Sequence, residues 1–421
     1  MATAVFAGGI VVSVPTAAFA ADPFPSSKLY GTNQKKVYEV DPATGVTKEI
    51  LAPTVGGSNT LNQIGIASGG DKVVFTSQQD IYIYTASAET WTQIPRTDGM
   101  SSNFGGNTMG GVDVATDTYL YGGAVANGSD QFEYASLNVN TQDFVPNALS
   151  VTLPGTPGGN GDLAFDAQGN LFIVTGGSTS AQLYRINAAD VKAGGQVTGT
   201  KVGSEISNVV TTNSMAFGAD GYLYLYATNG LLKVDPASGT LVSIQPLSGD
   251  TSALTDLASW SSPSTAGVNV DLPSGRVDPE DQFAIELTGG GITENNTAET
   301  TGDEPGVQDQ EDGESIGATV VIPGNEYTIT QTGIDETDLE KYTTTWQCVD
   351  LSNGEVFASG EGNSGTFTLP QGSNATNIQC TFTNNVSTPP EAADDESLNN
   401  ERGPVTVEVL GNDSEGLDPS T

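Results

Sequence analysis

Three aspartates stand at matching places in the first 262 residues. Asp113-Val114-Ala115, Asp162-Leu163-Ala164 and Asp256-Leu257-Ala258 share a pattern with Gly65-Ile66-Ala67 and Ser214-Met215-Ala216. Carboxylates brought together in this way can hold a hard cation such as Ca²⁺, which takes oxygen ligands. They can also act as paired acids in sugar hydrolysis. A third, purely structural task is to accept hydrogen bonds from backbone amides at strand starts. The chain contains no histidine, which excludes Ser-His-Asp triads, Cys-His nucleophiles, His-ligated zinc and imidazole acid–base catalysis. None of the five repeat segments carries a glutamate, and Trp91 and Trp260 are the only tryptophans before residue 262. A sugar hydrolase would show a glutamate acid and aromatic platforms, so the expectation is binding or spacing without catalysis.

The elements that must position these residues follow from their spacing. The first positions of the five copies are separated by 48, 49, 52 and 42 residues, a period that suits a four-stranded propeller blade. After Asp162 the chain runs through Asp166-Ala167-Gln168-Gly169-Asn170 into Leu171 to Val174, then Gln182 to Ile186. After Ser214 it runs through Ala219-Asp220-Gly221 into Tyr222 to Tyr226, Gly230 to Val234 and Leu241 to Ile244. The last copy offers one strand, Leu254 to Trp260. The N-terminus offers the missing three at Lys28 to Gly31, Lys36 to Val40 and Val46 to Ile50. The two ends share an Asp-Pro-Ala-x-Gly turn, at Asp41 to Gly45 and Asp235 to Gly239. Ring closure by the last strand buries an edge that would otherwise invite aggregation. The reading is five blades over residues 28–262, with Asp113, Asp162, Ser214 and Asp256 directed at the central channel as candidate ligand or Ca²⁺ residues. No other cofactor is expected.

Charge and export restrict the partners. The 13 basic and 51 acidic residues give a net charge of −38, which repels nucleic acid and anionic lipid. Ala4 to Val14 is apolar and Ala18-Phe19-Ala20 is a small-x-small cleavage site. Together they are read as a signal peptide over residues 1–20, too short and too proline-interrupted at Pro15 to span a membrane. The mature protein is expected outside the cell, with an extracellular glycan or protein as ligand and no membrane insertion.

After Ser261-Ser262-Pro263-Ser264-Thr265, read as a short linker, the pattern changes. Seven strand-length segments follow in about 120 residues, which predicts a β-sandwich over 267–386. They are Val268 to Val270, Gln282 to Leu287, Ala318 to Ile322, Glu326 to Thr330, Thr343 to Val349, Gly365 to Leu369 and Ile378 to Asn384. The acid-rich, base-free stretch Thr297 to Glu314 is read as a solvated loop, without the spacing of an EF-hand. Cys348 and Cys380 are the only cysteines. Both fall in predicted strands of an exported protein, so a disulfide is expected.

Pro323-Gly324-x-x-Tyr327-Thr328-Ile329-Thr330, Trp346-x-Cys348, Gly365-x-Phe367-x-Leu369-Pro370 and Cys380-Thr381-Phe382-Thr383-Asn384 resemble the prealbumin-like domain of Gram-positive surface and pilin-related proteins. Some relatives of that fold form an internal Lys–Asn isopeptide bond assisted by an acidic residue. Asn384 matches the acceptor position, but the donor strand around Val268 to Arg276 has no lysine, and Gln331 stands where the acid is expected. The disulfide is read as taking over the mechanical role. The tail from 387 to 421, with Leu410-Gly411-Asn412-Asp413 and Leu417-Asp418-Pro419-Ser420-Thr421, is similar to the opening of CshA-type fibril repeats and related tandem Ig-like modules. It is read as a truncated β-module, with envelope attachment through modules beyond it.

The expectation is an all-β surface protein: a five-bladed β-propeller, a prealbumin-like β-sandwich and a truncated β-module. Its role is adhesion or structural spacing, with the propeller as binding head. The alternative is a secreted carbohydrate-active enzyme that uses the channel carboxylates. A propeller serving only as a protein-interaction scaffold is a third possibility that the sequence does not separate from adhesion.

Overall fold

A computed structural model describes residues 23–387, apart from 54–60, 78–79, 97–106, 127, 156–157, 159, 208, 210, 294, 309–312 and 371–375. The leader at 1–20 and the tail from 388 onward lie outside the described residues.

Between Leu29 and Ala258 the strands form five sheets among the described residues. The first combines Leu29–Thr32, Val37–Val40 and Val46–Leu51 with Asp256–Ala258 from the far end of this half. The second runs outward from Asn62–Ile66, the third from Asn107–Asp113, the fourth from Asn160–Phe165 and the fifth from Thr212–Phe217. These inner strands pack side by side in chain order. Asp256–Ala258 touches both the fifth and the second, so the ring returns to its start. Closure is by backbone pairing, with Tyr30 opposite Ala258, Gly31 opposite Leu257 and Thr32 opposite Asp256. The edge of Leu29–Thr32 is thereby satisfied, as the sequence predicted. Trp260, just beyond, donates to the Phe24 carbonyl at 2.5 Å and packs at the seam.

Two short strands stitch neighbouring sheets together. Gly195–Thr198, which follows the fourth sheet's helix Ala188–Ala193, runs parallel to Phe144–Thr152 of the third. Ser248–Gly249, which follows the fifth sheet, runs parallel to Val46–Leu51 of the first. The Asp-Pro turns form as their chemistry dictates. Asp41 accepts from the amides of Ala43 and Thr44, and Asp235 accepts from those of Ala237 and Ser238.

The second half is a two-sheet sandwich. One sheet orders Gly306–Gln308, Thr265–Leu272, Asn377–Val386, Tyr342–Asp350 and Glu355–Glu361, with Ile316–Val320 also on Thr265–Leu272. The other orders Thr297–Glu299, Gln282–Gly289, Glu326–Ile334 and Ser364–Thr368. Tyr342–Asp350 alternates buried and exposed residues along most of its length, the signature of a strand with one face on the core. Two expectations are corrected here. The stretch Thr297 to Glu314 contains the strands Thr297–Glu299 and Gly306–Gln308, and Glu314 is buried, accepting from the amide and hydroxyl of Thr301. Glu314 anchors the segment in this way, while Glu299, Asp303 and Glu304 remain exposed as expected of a solvated stretch.

The second correction concerns the linker. Ser261, Ser262, Ser264 and Thr265 are all buried, and Thr265 already belongs to a sandwich strand. The reason is that the two halves share a core. Val320 and Ile322 of the sandwich pack with Phe172, Val202, Phe217 and Leu223 of the fourth and fifth sheets. Arg185 also reaches across to donate to the Ala318 carbonyl at 2.7 Å. Replacing Ile322 by Ala is expected to cost about 2–4 kcal/mol and to split a joint unfolding transition into two. Urea unfolding followed by a propeller and a sandwich probe measures this; coincident transitions in the variant would refute the shared core.

Candidate functional site

The inner strands meet on the axis, and their polar side chains set its chemistry. Asp162, fully buried on the fourth sheet, accepts from Gly110 N of the third at 3.0 Å and from Met215 N of the fifth at 2.7 Å. Asp256, also fully buried, accepts from Ile64 N of the second sheet at 2.7 Å and from its neighbour Leu257 N at 2.9 Å. The two carboxyls hydrogen-bond to each other across the ring. Gln63 links the second sheet to the third, donating to the carbonyls of Met109 at 2.8 Å and Gly122 at 3.2 Å. Thr76 and Tyr119 hold Gln63 in turn, through its side-chain oxygen and its carbonyl. Three side chains thus tie all five sheets at one level.

Burial pushes both carboxyls up, Asp256 well above its ordinary range. The cause is desolvation, which disfavours two negative charges in contact. Each carboxyl accepts two backbone N–H bonds, and one proton shared between them relieves the contact of two charges. The close approach needs glycine at the partner strand: a Cβ on Gly110 would lie 2.6 Å from that of Gln63, and one on Gly111 would lie 2.8 Å from the Leu163 carbonyl.

Beyond the pair lies an axial void of about 20 Å³, lined by residues of all five inner strands, which is room for about one water. The two carboxyls touch, whereas glycoside hydrolysis works with carboxyls roughly 5–10 Å apart around the bond to be cut. Their oxygens are occupied by backbone amides and by each other. Among the described residues no group of three or more acidic or cysteine side chains is arranged to hold a metal ion.

The other candidates stand elsewhere. Ser214 is buried beside Met215, and its hydroxyl has no hydrogen-bond partner among the described residues. Asp113 is separate from the pair. It ends its strand, accepts from Ala115 N and from the Thr116 hydroxyl within its own turn, and borders an outer groove instead of the axial void. Sequence matching had aligned Gly65 and Asp113 with Asp162, but Gln63 and Met109 occupy that level. The offsets are two residues in the second sheet and four in the third, where Asp113 is the last residue of its strand. Gln63-Ile64-Gly65 does carry the polar–aliphatic–small pattern, which is the signal by which Gln63 could have been found.

In the sandwich, Cys348 and Cys380 face each other on adjacent antiparallel strands and form the disulfide inside the core. Gln331 and Asn384 are neighbours too. Their carboxamides exchange two hydrogen bonds of 3.0 Å, and the Thr344 hydroxyl donates to Asn384 at 2.7 Å. A reciprocal amide pair thus joins the two positions inside the sandwich. The sandwich has a single lysine, Lys341, which lies in the turn Leu339–Lys341, three residues before Thr344.

Residues 265–386 match the family described as a prealbumin-like fold domain. No curated protein sequence matches the chain. Among solved structures, one of a nidogen/laminin complex is 12% identical, covering 55% of this chain and 97% of that one, with a TM-score of 0.37. The WD40 domain of Neurospora crassa Pan2 is 10% identical over 56% of this chain and 66% of that one, with a TM-score of 0.31. A mutant of the major pilin of Streptococcus pyogenes is 15% identical over 73% of this chain and 81% of that one, with a TM-score of 0.20.

Proposed function

We propose that this chain is an exported surface protein with a structural or adhesive role, in which a five-bladed propeller serves as binding head on the sandwich. The observation that carries the reading is the prealbumin-like domain at 265–386, joined to the propeller through a shared core. The disulfide supports it, since such bonds persist in oxidising compartments. The apolar segment ending at Ala18-Phe19-Ala20 supports export, and the net charge of −38 suits a protein in the extracellular medium. In this reading the ligand is an extracellular glycan or protein, and the Asp162–Asp256 pair is a fastener of the ring. Sugar hydrolysis is not favoured, because the paired carboxyls are enclosed and in contact.

The reading is tested on intact cells of the source organism. Surface-restricted protease or antibody labelling should reach the protein, and mass analysis of the folded product should find Cys348 and Cys380 bonded, with residues 1–20 removed. Recovery in the cytosol with two free thiols would overturn it.

A further inference from the structure

Arg185 is a cation that the chain's own acids leave unpaired. It stands on Ser180–Ile186 of the fourth sheet and reaches into the joint with the sandwich. Burial there holds its guanidinium below the ordinary arginine range, so the charge is poorly solvated. A guanidinium has five N–H groups. Only Nη2 finds an acceptor among the described residues, the Ala318 carbonyl. No carboxylate among those residues forms an ion pair with Arg185, although the chain has 51 acidic side chains. Asp166, whose charge it feels, keeps its oxygens for Gln168 N, Asn170 N and the Asn170 carboxamide. A charge taken from water without a counter-charge in contact is costly.

A polar void of about 50 Å³ opens beside the guanidinium, where one water needs about 10–15 Å³. Asn187, Thr198 and Thr200 border it from the propeller and Asn295 from the sandwich. None of these four side chains has a hydrogen-bond partner among the described residues, so their hydroxyl and amide hydrogens are available as donors. The unmet Arg185 groups are open to this space, since they are not among the polar atoms shut away from solvent. Asp190 is the single carboxylate on the lining, and it is exposed.

We infer that this void holds a monovalent inorganic anion, chloride, between the Arg185 guanidinium and the hydroxyl and carboxamide donors of both halves. One guanidinium balances one negative charge, and a spherical ion accepts from donors in any direction. A divalent oxyanion fits less well, because the void offers a single positive charge and Asp190 at its rim repels the second negative one. Water fills the space but leaves the guanidinium without a counter-charge. The chain's net −38 opposes general uptake of anions, so saturable binding requires a local cationic site of this kind. The inference goes beyond surface display and stands independently of it. It makes the joint between propeller and sandwich responsive to salt, since the donors come from both.

The probe is sodium chloride, titrated against the full chain at ionic strength held constant with sodium gluconate and followed by chloride NMR line width. The expected result is saturable excess broadening that sodium bromide displaces. Arg185→Met, which keeps most of the side-chain bulk, should abolish it. Thr200→Val, at an exposed position, should weaken binding about threefold through loss of one donor. Asp190→Asn should strengthen it about threefold by removing an exposed like charge. A void filled by water alone would show neither change. No saturable broadening in the parent, unchanged broadening in Arg185→Met, or equal affinity in the parent and Asp190→Asn would overturn the inference. If Arg185→Met fails to fold, Thr200→Val and Asp190→Asn decide.

Discussion

Replacing Asp162 by Ala is expected to destabilise the propeller by about 3–5 kcal/mol. The carboxyl accepts from Gly110 N and Met215 N and shares a proton with Asp256. Its loss strands two buried amides and one buried acid at the centre of the ring, each costly without a partner. Asp256→Asn is expected to be milder, since the amide still offers a donor to Asp162 and an acceptor to Ile64 N and loses only the bond from its neighbour Leu257 N. The two variants differ most in pH dependence. Both carboxyls are raised in the folded protein, so the folded state holds more protons than the unfolded chain above the ordinary carboxylate range. Stability therefore falls as pH rises from about 4 towards neutrality, by up to about 1.4 kcal/mol per pH unit for each extra proton held. The penalty stops growing once the folded pair itself ionises. Asp256→Asn removes the shared proton and should flatten that slope. Asp166, buried and pushed up to about 6, has the same sign in both proteins and cancels in the comparison. Denaturant midpoints between pH 4 and 8 measure the effect, and identical slopes in parent and Asp256→Asn would refute proton sharing.

Removing the disulfide is the second large change. Cys348 and Cys380 are 32 residues apart in sequence, and on the chain-entropy model their link contributes about 3–4 kcal/mol. Cys348→Ala with Cys380→Ala should lose at least that much, since the alanines also leave space in the core. The mechanical consequence is more specific. The first sandwich strand, Thr265–Leu272, runs parallel to the last, Asn377–Val386, with Thr265 opposite Asn377 through to Asp271 opposite Thr383. Tension between the two ends of the sandwich therefore loads these bonds together, in shear. Beyond that point the disulfide withholds the loop between the cysteines from extension. Single-molecule pulling should give an unfolding step about 110 Å longer in the double variant than in the oxidised parent, at up to ~3.6 Å per residue. A step of equal length in both proteins would show that the bond does not cross the loaded path.

The amino-acid sequence by itself determined the all-β class, the ring and its closure, and the cysteine pairing. Each rests on a local or periodic property. Turn chemistry at Asp41 and Asp235 acts within five residues, the apolar strands recur at blade spacing, and the chain's two cysteines have only each other. Tertiary structure alone decided which polar side chains reach the axis. The Asp-x-Ala pattern falls two residues past the axial level at Gly65 and four past it at Asp113, so Gln63 stands at the centre and Asp113 ends its strand at an outer groove. It also decided that Ser261 to Thr265 is core, because burial there depends on Val320 and Ile322 arriving from a segment some sixty residues later. No repeat or turn motif marks that contact, which depends on the two surfaces matching in shape.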